Sequence, residues 1–537
     1  MNEVITEKPD ARAGDSDKSV VADEPMMTTT TTATMQKPTE PIVPSPEDEH
    51  VWLAASLSAP RHIALVFVVC MAHFCLQSAF ASPLFLQNVI GASFGETNPG
   101  QLAWLVAGYS LTVGSFILLS GRAGDLFGYK RMLLIGFGWF SVWSVITGLG
   151  VYQNYTLVIF ARVLQGIGPA ICVPNGLAIL GSVYPPGPVK AMVFACFGAV
   201  APMGGVIGCI VSASLAIHFW PWLFWMLGIW LAVLAVMAYI VVPDIPQQSP
   251  AFDDGFSFKK LSAELDIPGS VTGVMSLILF NFAWNQAPIV GWDTAEVIVP
   301  LIAGLAVFGL FAFIETKVAT RPLVPFDAIN ADVCYVLAAV SCGWASFSIW
   351  IFYFARILED VRHLSALQAC IRTLPIMVSG MVAAMTTGAL LGPLQVRLPV
   401  VLVISLTAFM TGTTLLAAVP LHQVYWGQYF VSALVMPFGM DMSFPAATLI
   451  ISNAVKREHQ GTGASLVTTL VNYSISLAVG ISGTVQVHVG HGDLFQSLKG
   501  GLYFGIGIAV LGWSISIIYL IRDQLKRGKK GEVTANA

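Results

Sequence analysis

The chain has few charged residues for its length. Only 10% of its 537 residues are Asp, Glu, Lys or Arg, whereas 56% are hydrophobic. A soluble globular domain carries roughly 25% charged residues because its surface must face water. A chain of this size cannot cover itself with so few charges, so we expect it to be solvated by lipid. The formal net charge of −4 and the lack of a basic patch exclude a nucleic-acid surface.

Patterns typical of an enzyme or an ATP-driven pump are also absent. The sequence contains no Walker loop and no HExxH or GxSxG stretch. Its eight cysteines all lie in apolar segments without metal-ligand spacing, which predicts small residues used for helix packing. We therefore expect no catalysis, no cofactor and no bound metal.

The first 60 residues differ from everything that follows. They hold eleven acidic residues against four basic ones, and few large apolar side chains. Such a segment cannot bury a core, which predicts a disordered tail. No charged start followed directly by an apolar stretch is present, so we expect a cytosolic tail and not a signal peptide.

Long apolar segments follow this tail. A bilayer core roughly 30 Å thick is crossed by about 20 apolar residues in a helix. Helix is the only sensible assignment for such segments, because a lone strand would leave its backbone groups unsatisfied in lipid. The fourteen predicted spans, numbered in chain order, cover residues 62–90, 100–120, 132–151, 155–178, 190–215, 221–242, 268–290, 295–315, 333–355, 367–391, 398–419, 424–452, 462–487 and 500–521.

The basic residues indicate the orientation of these spans. With a cytosolic N-terminus, the predicted inner loops hold eleven Lys or Arg, whereas the outer loops hold Arg362 and Lys499, with Arg356 at the edge of span nine. This asymmetry follows the positive-inside rule. It predicts a multi-pass membrane protein with both termini in the cytosol.

The chain also contains a weak internal repeat. Three residues of span four recur in span twelve with identical spacing and an offset of 271: Gly168, Pro174 and Ile179 match Gly439, Pro445 and Ile450. Parallel repeats of this kind are typical of one large class of transporters, and they predict two six-helix halves separated by two extra helices. The predicted segments are a tail at 1–60, a first half at 61–243, a linker with two helices at 244–332, a second half at 333–521 and a tail at 522–537.

The loop after span two reads GRAGDLFGYKR over residues 121–131. Its three glycines allow a tight turn between closely packed helices, and Asp125 can accept hydrogen bonds at a neighbouring helix N-terminus, where the dipole favours an anion. The pattern resembles the signature loop of the major facilitator superfamily, which implies a cytoplasmic latch between the two halves. The residues assigned to this latch are Gly121, Arg122, Asp125, Gly128, Lys130 and Arg131.

Span four carries LVIFARVLQGIGPA over residues 157–170, with Arg162 in an otherwise nearly uncharged helix. A charge there costs about 2.5–3.5 kcal/mol on insertion scales, so the side chain should face a cavity or a partner. The stretch resembles the second motif of the superfamily, in which the arginine is tied to proton transfer. A structural arginine bonded to backbone carbonyls is the alternative.

Span five carries FGAVAPMGGVIG over residues 197–208, which resembles the antiporter motif of the superfamily. The resemblance implies a bend at the interface between the halves and an exporter, although Ala201 stands where a glycine is usual. Tight packing of small residues would also explain the glycines. The residues assigned to this motif are Gly198, Pro202, Gly204, Gly205 and Gly208.

Longer stretches, at 98–118, 221–225 and 439–477, are similar to fungal fourteen-span drug:proton antiporters. The branch that they resemble holds aminotriazole-resistance and boron-efflux proteins and a low-affinity ammonium transporter. Many drug:proton antiporters carry an aspartate in span one. Here that region reads MAHFCLQSAF, with His73 and Gln77 one turn apart and no acidic residue.

Polar residues within the spans are candidates for proton coupling or for the transport pathway. Asp441 is the one acidic residue deep inside a span of either predicted half, and we expect it to carry the proton. A structural ion pair with Arg162 and direct substrate contact are the alternatives, and an interhelical hydrogen bond is the alternative for the neutral groups. The coupling candidates are Asp441, Arg162 and His73, and the pathway candidates are Gln77, Gln165, Asn281, Asn285 and Arg372.

The fourteen spans and the resemblance together predict an all-α integral membrane protein with the major facilitator fold. We expect a monomeric secondary transporter, working by alternating access, that exports a small organic or toxic compound in exchange for protons. Its location is predicted to be the plasma membrane, with an internal membrane as the alternative. Transport of ammonium or boric acid is the main functional alternative, and a sensor that moves no solute is a further one. Asn154 lies in an acceptor sequon in an outer loop, which makes it the glycosylation candidate.

Overall fold

A computed structural model describes residues 53–185, 187–245, 257–324, 330–454, 460–490 and 492–535. Within these ranges, fourteen helices are long and apolar enough to cross a membrane, which confirms the predicted fold class. They are α1 (Ala59–Leu84), α2 (Pro99–Phe127), α3 (Tyr129–Leu149), α4 (Tyr155–Gln165 and Ile167–Val183), α5 (Pro188–Ala216), α6 (Trp222–Val241), α7 (Ile267–Val290), α8 (Ala295–Phe313), α9 (Ala331–Arg356), α10 (Ala366–Ile371 and Leu374–Leu391), α11 (Leu398–Ala417), α12 (Gln428–Ala454), α13 (Gln460–His488) and α14 (Leu494–Ala535).

Two helix ends differ from the predicted spans in ways that matter for function. α1 ends at Leu84, just after Pro83, and a separate short helix, Gln87–Ala92, follows where the prediction had one continuous span. α9 continues beyond its predicted end at residue 355 as the π-turn Ile357–Val361. This extension keeps Glu359 and Asp360 in helical geometry at the outer end of α9.

The glycines of the internal repeat have the same packing role in α4 and α12. A Cβ on Gly168 would lie 2.4 Å from the Phe140 side chain of α3, and a Cβ on Gly439 would lie 2.7 Å from the Phe409 ring of α11. In both places a glycine lets the helix approach an aromatic residue of the preceding helix. The repeat therefore reflects equivalent packing, while the division into two halves at the predicted boundaries stays a prediction.

The helices α7 and α8 pack against each other, and α7 also packs against α2 and α13. The Tyr473 hydroxyl of α13 donates a hydrogen bond to the Leu277 carbonyl of α7 at 3.1 Å. A Cβ on Gly480 would lie 2.8 Å from the Trp284 backbone, so a glycine is needed where α13 meets α7. We call α1–α6 the N-terminal group and α9–α14 the C-terminal group, and α7 contacts one helix of each.

The cysteines do not all serve helix packing. Five of the eight are buried and one is partly exposed, but Cys196 and Cys334 are exposed on the surface of their helices. The prediction that every cysteine fills a packing site is wrong for these two, because an apolar helix also presents residues to lipid. Within the described ranges, no cluster of His, Cys, Asp or Glu is arranged to hold a metal ion.

Candidate transport site and gates

The signature loop between α2 and α3 depends on two of its glycines. Gly128 joins the helices with φ of 93° and ψ of 130°, a backbone conformation that L-residues with a side chain rarely adopt. A Cβ on Gly124 would lie 1.8 Å from Asn175 Oδ1 of α4, so only glycine fits there. Gly121 is less constrained, since its nearest neighbour would be Ser465 Oγ at 3.5 Å.

Asp125 in this loop accepts a hydrogen bond of 2.6 Å from the Tyr129 hydroxyl, and its side chain is exposed. The sequence predicted that Asp125 would accept hydrogen bonds at the N-terminus of a neighbouring helix. In the described residues, the donor is instead the Tyr129 side chain at the start of α3. Lys130 forms an ion pair of 3.1 Å with Asp244, whereas Arg131 is exposed. The contacts of Asp125 and Lys130 thus lie within the loop's own group of helices, whereas Gly121 lies near Ser465 of α13.

Arg122 faces the cytosolic end of the α7–α8 pair. Its charge interacts most strongly with Asp266, which caps α7, and with Glu315 at the end of α8. Glu315 accepts hydrogen bonds from the backbone amides of Leu323 and Val324, at 3.2 and 3.3 Å. The predicted latch arginine therefore lies where the acidic residues at these ends of α7 and α8 attract its charge.

Arg162 is fully buried and tied to the N-terminal group. Its Nε donates to the Leu105 carbonyl at 3.0 Å, its Nη2 donates to the Ala79 carbonyl at 2.9 Å, and its Nη1 donates to Gln165. The guanidinium also lies 4.4 Å from the centre of the Tyr109 ring. These contacts join α4 to α1 and α2, so Arg162 binds backbone carbonyls as a structural arginine would. None of these contacts is with Asp441.

The antiporter-like motif packs α5 against α1 through small residues. A Cβ on Gly204 would lie 2.5 Å from the Phe74 carbonyl oxygen, and a Cβ on Gly208 would lie 2.2 Å from Ser78 Oγ. These two glycines therefore allow the close approach of the helices. Gly205 is barely constrained, and Gly198 has open space around it, so the five predicted motif residues do not share one role.

His73 and Gln77 lie on the partly exposed side of α1. His73 stacks on Phe197 of α5 with ring centres 4.5 Å apart, and its Nδ1 lies 3.0 Å from the Phe197 carbonyl oxygen. Gln77 has no side-chain hydrogen bond to the described chain. Of the two residues, Gln77 is the one whose polar group is free to meet a solute.

Asp441 lies where α12, α10 and α5 meet. A Cβ on Gly380 of α10 would lie 2.9 Å from Pro202 of α5 and 3.0 Å from Asp441 Oδ2. This oxygen is buried without a hydrogen-bond partner, while the side chain as a whole is partly exposed. The backbone carbonyl of Asp441 accepts a hydrogen bond from the Thr387 hydroxyl at 3.3 Å. The carboxylate is thus placed next to the contact between the N-terminal and C-terminal groups.

Three of the predicted pathway residues are held in hydrogen bonds inside the helix bundle. Gln165 donates to Ser144 at 2.6 Å. Asn285 donates to the Asn281 side chain at 2.8 Å, and the latter accepts from Ser476 of α13 at 2.9 Å. The asparagines thus join α7 to α13, although Asn285 also borders a small cavity of about 60 Å³. For these neutral residues, the sequence analysis gave an interhelical hydrogen bond as the alternative to a role in the pathway, and the structure has such bonds.

On the side that is predicted to face outward, a polar contact joins the two groups of helices, and the sequence did not indicate it. Asn88 Nδ2, after α1, donates to Glu359 Oε2 at 3.0 Å and to Asp360 Oδ1 at 2.7 Å. Arg356 Nε donates to Asp360 Oδ2 at 2.7 Å. Glu359 Oε1, Arg356 Nη1 and both polar side-chain atoms of Gln87 are buried without partners. We call the contact of Asn88 with Glu359 and Asp360 the outer gate.

The α5–α10 contact extends to the ends of these helices that are predicted to face outward. Cys209 Sγ lies 3.8 Å from Thr373 Oγ1 near the outer ends of these helices. Toward the cytosol, a Cβ placed on Gly198 or Gly388 would meet no atom within 4 Å. With the outer gate formed, the two groups of helices are in contact at the ends that are predicted to face outward.

Fourteen apolar helices, a polar contact between two groups of helices and a carboxylate where these groups meet are features expected of a membrane transporter. A family model described as Major Facilitator Superfamily matches residues 64–481. The chain therefore belongs to the Major Facilitator Superfamily, as its motifs predicted.

Relatives of known name cover most of the chain. It is 46% identical over 471 residues to a low affinity ammonium transporter of Saccharomyces cerevisiae, covering 87% of this chain and 90% of the relative. It is 43% identical over 486 residues to efflux pump terJ of Aspergillus terreus, covering 90% and 92%. These relatives place the chain among fungal transporters of the superfamily, which confirms the resemblance.

Solved structures share the fold at low identity. A crystal structure of a peptide transporter POT variant in complex with sulfate superposes with a TM-score of 0.60 at 15% identity, covering 85% of this chain and 93% of the other. At this identity the likeness supports the helical architecture alone.

Proposed function

We propose that the chain exports a small organic compound in exchange for protons and acts in the plasma membrane. The similarity to a protein named an efflux pump supports export, as does the antiporter-like motif on α5. The observation that carries the proposal is the Asp441 carboxylate, whose Oδ2 atom is buried, lacks a hydrogen-bond partner and lies against the α5–α10 contact.

The chemistry of this position favours a proton carrier. An ionised carboxylate in a low-dielectric interior is costly unless it is paired or hydrogen-bonded. No basic side chain in the described part of the chain forms an ion pair with Asp441, and Arg162 is occupied elsewhere. A bound proton removes the charge in this conformation. Loss of that proton to the cytosol would leave an ionised carboxylate, which favours rearrangement of the α5–α10 contact because water could then hydrate the charge.

The exchange cycle follows from this arrangement. With the outer side closed, a proton taken up from outside resides on Asp441, and a solute from the cytosol enters between the two groups of helices. Gln77 on α1 offers that solute a hydrogen-bonding group. Loss of the proton to the cytosol then restores the negative charge on Asp441. Because an ionised carboxylate destabilises the closed outer contact, the bundle opens outward and releases the solute.

The test measures the coupling directly. A growth screen of deletion and overexpression strains against toxins, boric acid and ammonium analogues supplies a transported probe. The purified protein in proteoliposomes is then assayed for accumulation of that probe driven by a pH gradient, and for exchange at equal pH. Asp441→Asn is expected to abolish accumulation and retain exchange, whereas Asp293→Asn, an exposed acid in the α7–α8 loop, is expected to behave as wild type. Accumulation by Asp441→Asn with unchanged pH dependence would contradict the proposal.

Transport of ammonium is the second candidate, because the chain is 46% identical to a protein named a low affinity ammonium transporter. A lone carboxylate such as Asp441 could pair with a small cation instead of a proton. Labelled methylammonium in the same proteoliposomes separates the two functions. Saturable methylammonium uptake that Asp441→Asn removes, without any pH-driven accumulation of the organic probe, would favour the second candidate.

A further inference from the structure

A cavity with a polar lining lies at the end of the C-terminal group that is predicted to face outward. It has a volume of about 410 Å³ and is formed by the loop between α9 and α10, the start of α10 and the loop between α11 and α12. This volume falls within the range of ligand pockets, roughly 300–1,000 Å³. Its polar lining includes two arginines, Arg362 and Arg372, together with His422, Gln423 and Tyr425.

Arginines are unusual on this side of the membrane. The positive-inside rule places Lys and Arg preferentially in cytosolic loops, and few basic residues occupy the outer ends of the described helices. Arg356, a near neighbour in sequence, is neutralised by its ion pair with Asp360 at 2.7 Å. Neither Arg362 nor Arg372 contacts a carboxylate in the described ranges, so the cavity carries two positive charges without a counter-ion.

Both guanidinium groups are held by aromatic rings. The Arg362 guanidinium lies 4.2 Å from the centre of the Tyr429 ring, and that of Arg372 lies 5.3 Å from the centre of the Tyr425 ring. Such stacking orients an arginine and leaves its N–H groups free to bind an anion. Burial raises the pKa of Tyr425 to about 12, so this residue remains a neutral phenol. Its hydroxyl donates to the Arg372 carbonyl at 2.5 Å.

Much of the hydrogen-bonding capacity of the two arginines is unused. Arg372 Nη1 is buried and has no partner. Arg362 Nη2 reaches only the Leu421 carbonyl, at 3.5 Å. A buried donor without an acceptor costs free energy, and in native structures it commonly marks a place where a ligand or ion completes the site.

We propose that this cavity is an external binding site for a small organic anion. A carboxylate or phosphate group would bind between Arg362 and Arg372, because their planar forks match the geometry of such groups. The apolar part of the ligand would contact Leu364 and Leu421, which also line the cavity. The anion comes either from a solute in the outside medium or from the headgroup of an outer-leaflet lipid, since both present the same charged group.

Benzoate and inorganic phosphate are suitable probes. The full-length protein in phosphatidylcholine nanodiscs is titrated with each anion and with methyl benzoate, and binding is followed by calorimetry and by the shift in thermal unfolding. Benzoate is expected to bind saturably and methyl benzoate not to bind. Arg362→Gln and Arg372→Gln are each expected to weaken benzoate binding at least tenfold. Lys499→Gln is the control, because this outer lysine lies on the Phe495 ring and not in the cavity.

The outcomes separate the alternatives. Saturable binding that is insensitive to both arginine substitutions, equal binding of methyl benzoate, or no binding of either anion would overturn the proposal. The comparison of benzoate with its ester uses only the wild-type protein, so it stands even where an arginine variant fails to fold. Discs containing phosphatidylglycerol identify the source of the anion: loss of benzoate binding there assigns the cavity to a lipid headgroup, and unchanged binding assigns it to a soluble anion.

Discussion

Removal of the Asn88 side chain is expected to loosen the outer gate. Asn88 is the donor that joins the end of α1 to the π-turn of α9, through hydrogen bonds of 3.0 and 2.7 Å to Glu359 and Asp360. When the outer side opens, these groups separate and are hydrated. Asn88→Ala therefore destabilises the closed conformation and leaves the open one nearly unaffected.

The size of the effect follows from the hydrogen bonds. A hydrogen bond to a charged group contributes about 1.5–3 kcal/mol. Asn88 is only partly buried, so water will replace part of the hydrogen bonding that its amide provides. We therefore expect the closed conformation to lose the free energy of one such hydrogen bond and not of two. Since 1.4 kcal/mol corresponds to a factor of ten, the fraction of open molecules should rise roughly tenfold to hundredfold.

Two native cysteines report this change. Cys209 and Cys370 are buried near the outer ends of α5 and α10, so a membrane-impermeant maleimide added outside can modify them only when the outer side opens. The labelling rate in intact cells should rise about tenfold or more in Asn88→Ala. Asn154→Ala is the matched control, because Asn154 lies on the same side but only caps α4, by accepting from the Leu157 amide at 2.8 Å.

The result that refutes this reasoning is specific. Equal labelling rates in Asn88→Ala and wild type would mean that the outer gate does not limit opening. Faster labelling that persists when Cys209 and Cys370 are both replaced by serine would come from another thiol, and would not support the prediction.

Three further predictions concern the closed contact, the latch and the topology. Copper phenanthroline is expected to cross-link Cys209 with Cys370, because both are buried and Cys209 meets Thr373, three residues after Cys370. The cross-link is expected to stop transport until dithiothreitol is added, and transport that continues after complete cross-linking would contradict this. Asp125→Asn is expected to reduce transport at least severalfold with normal membrane insertion, and wild-type flux would refute a latch role. A glycan detected by glycosidase digestion is expected only on Asn154, because Asn472 lies inside α13 and donates to the Thr468 carbonyl, so modification of Asn472 would exclude the topology.

Local patterns were sufficient for the helices and for part of the signature loop. Glycine at position 128 is required by the positive φ of the connection, and glycine at 124 by the approach of Asn175. The first requirement is local, whereas the second arises from Asn175 on α4, which is distant in sequence. The motif sequence therefore predicted the tight turn correctly, although not which glycines carry it.

Contacts between distant segments could not be predicted in this way. Glu359 and Asp360 stand in a stretch with several charges, RILEDVR, which reads as a loop at the end of span nine. A π-turn keeps them helical, and Asn88, 271 residues earlier, provides the partner. The weak available signal was the pair of adjacent acids directly after a long apolar span. Similarly, an i, i+4 spacing places Asn281 and Asn285 on one face of a helix, but it gives no sign that Ser476 of α13 binds there.

The α5–α10 contact explains how the outer gate and Asp441 influence each other. Cys209 meets Thr373 near the outer ends, and about two helical turns inward Pro202 packs on Gly380, beside Asp441 Oδ2. Close-packed helices move as units, so separation of the outer ends also changes the space around the carboxylate. By linkage, proton binding and gate opening shift each other by the same free energy. Because the closed form accommodates the proton-bearing carboxylate, a variant with a loosened gate is expected to move the midpoint of the pH–flux curve to lower pH, and an unchanged midpoint would show that the two sites are independent.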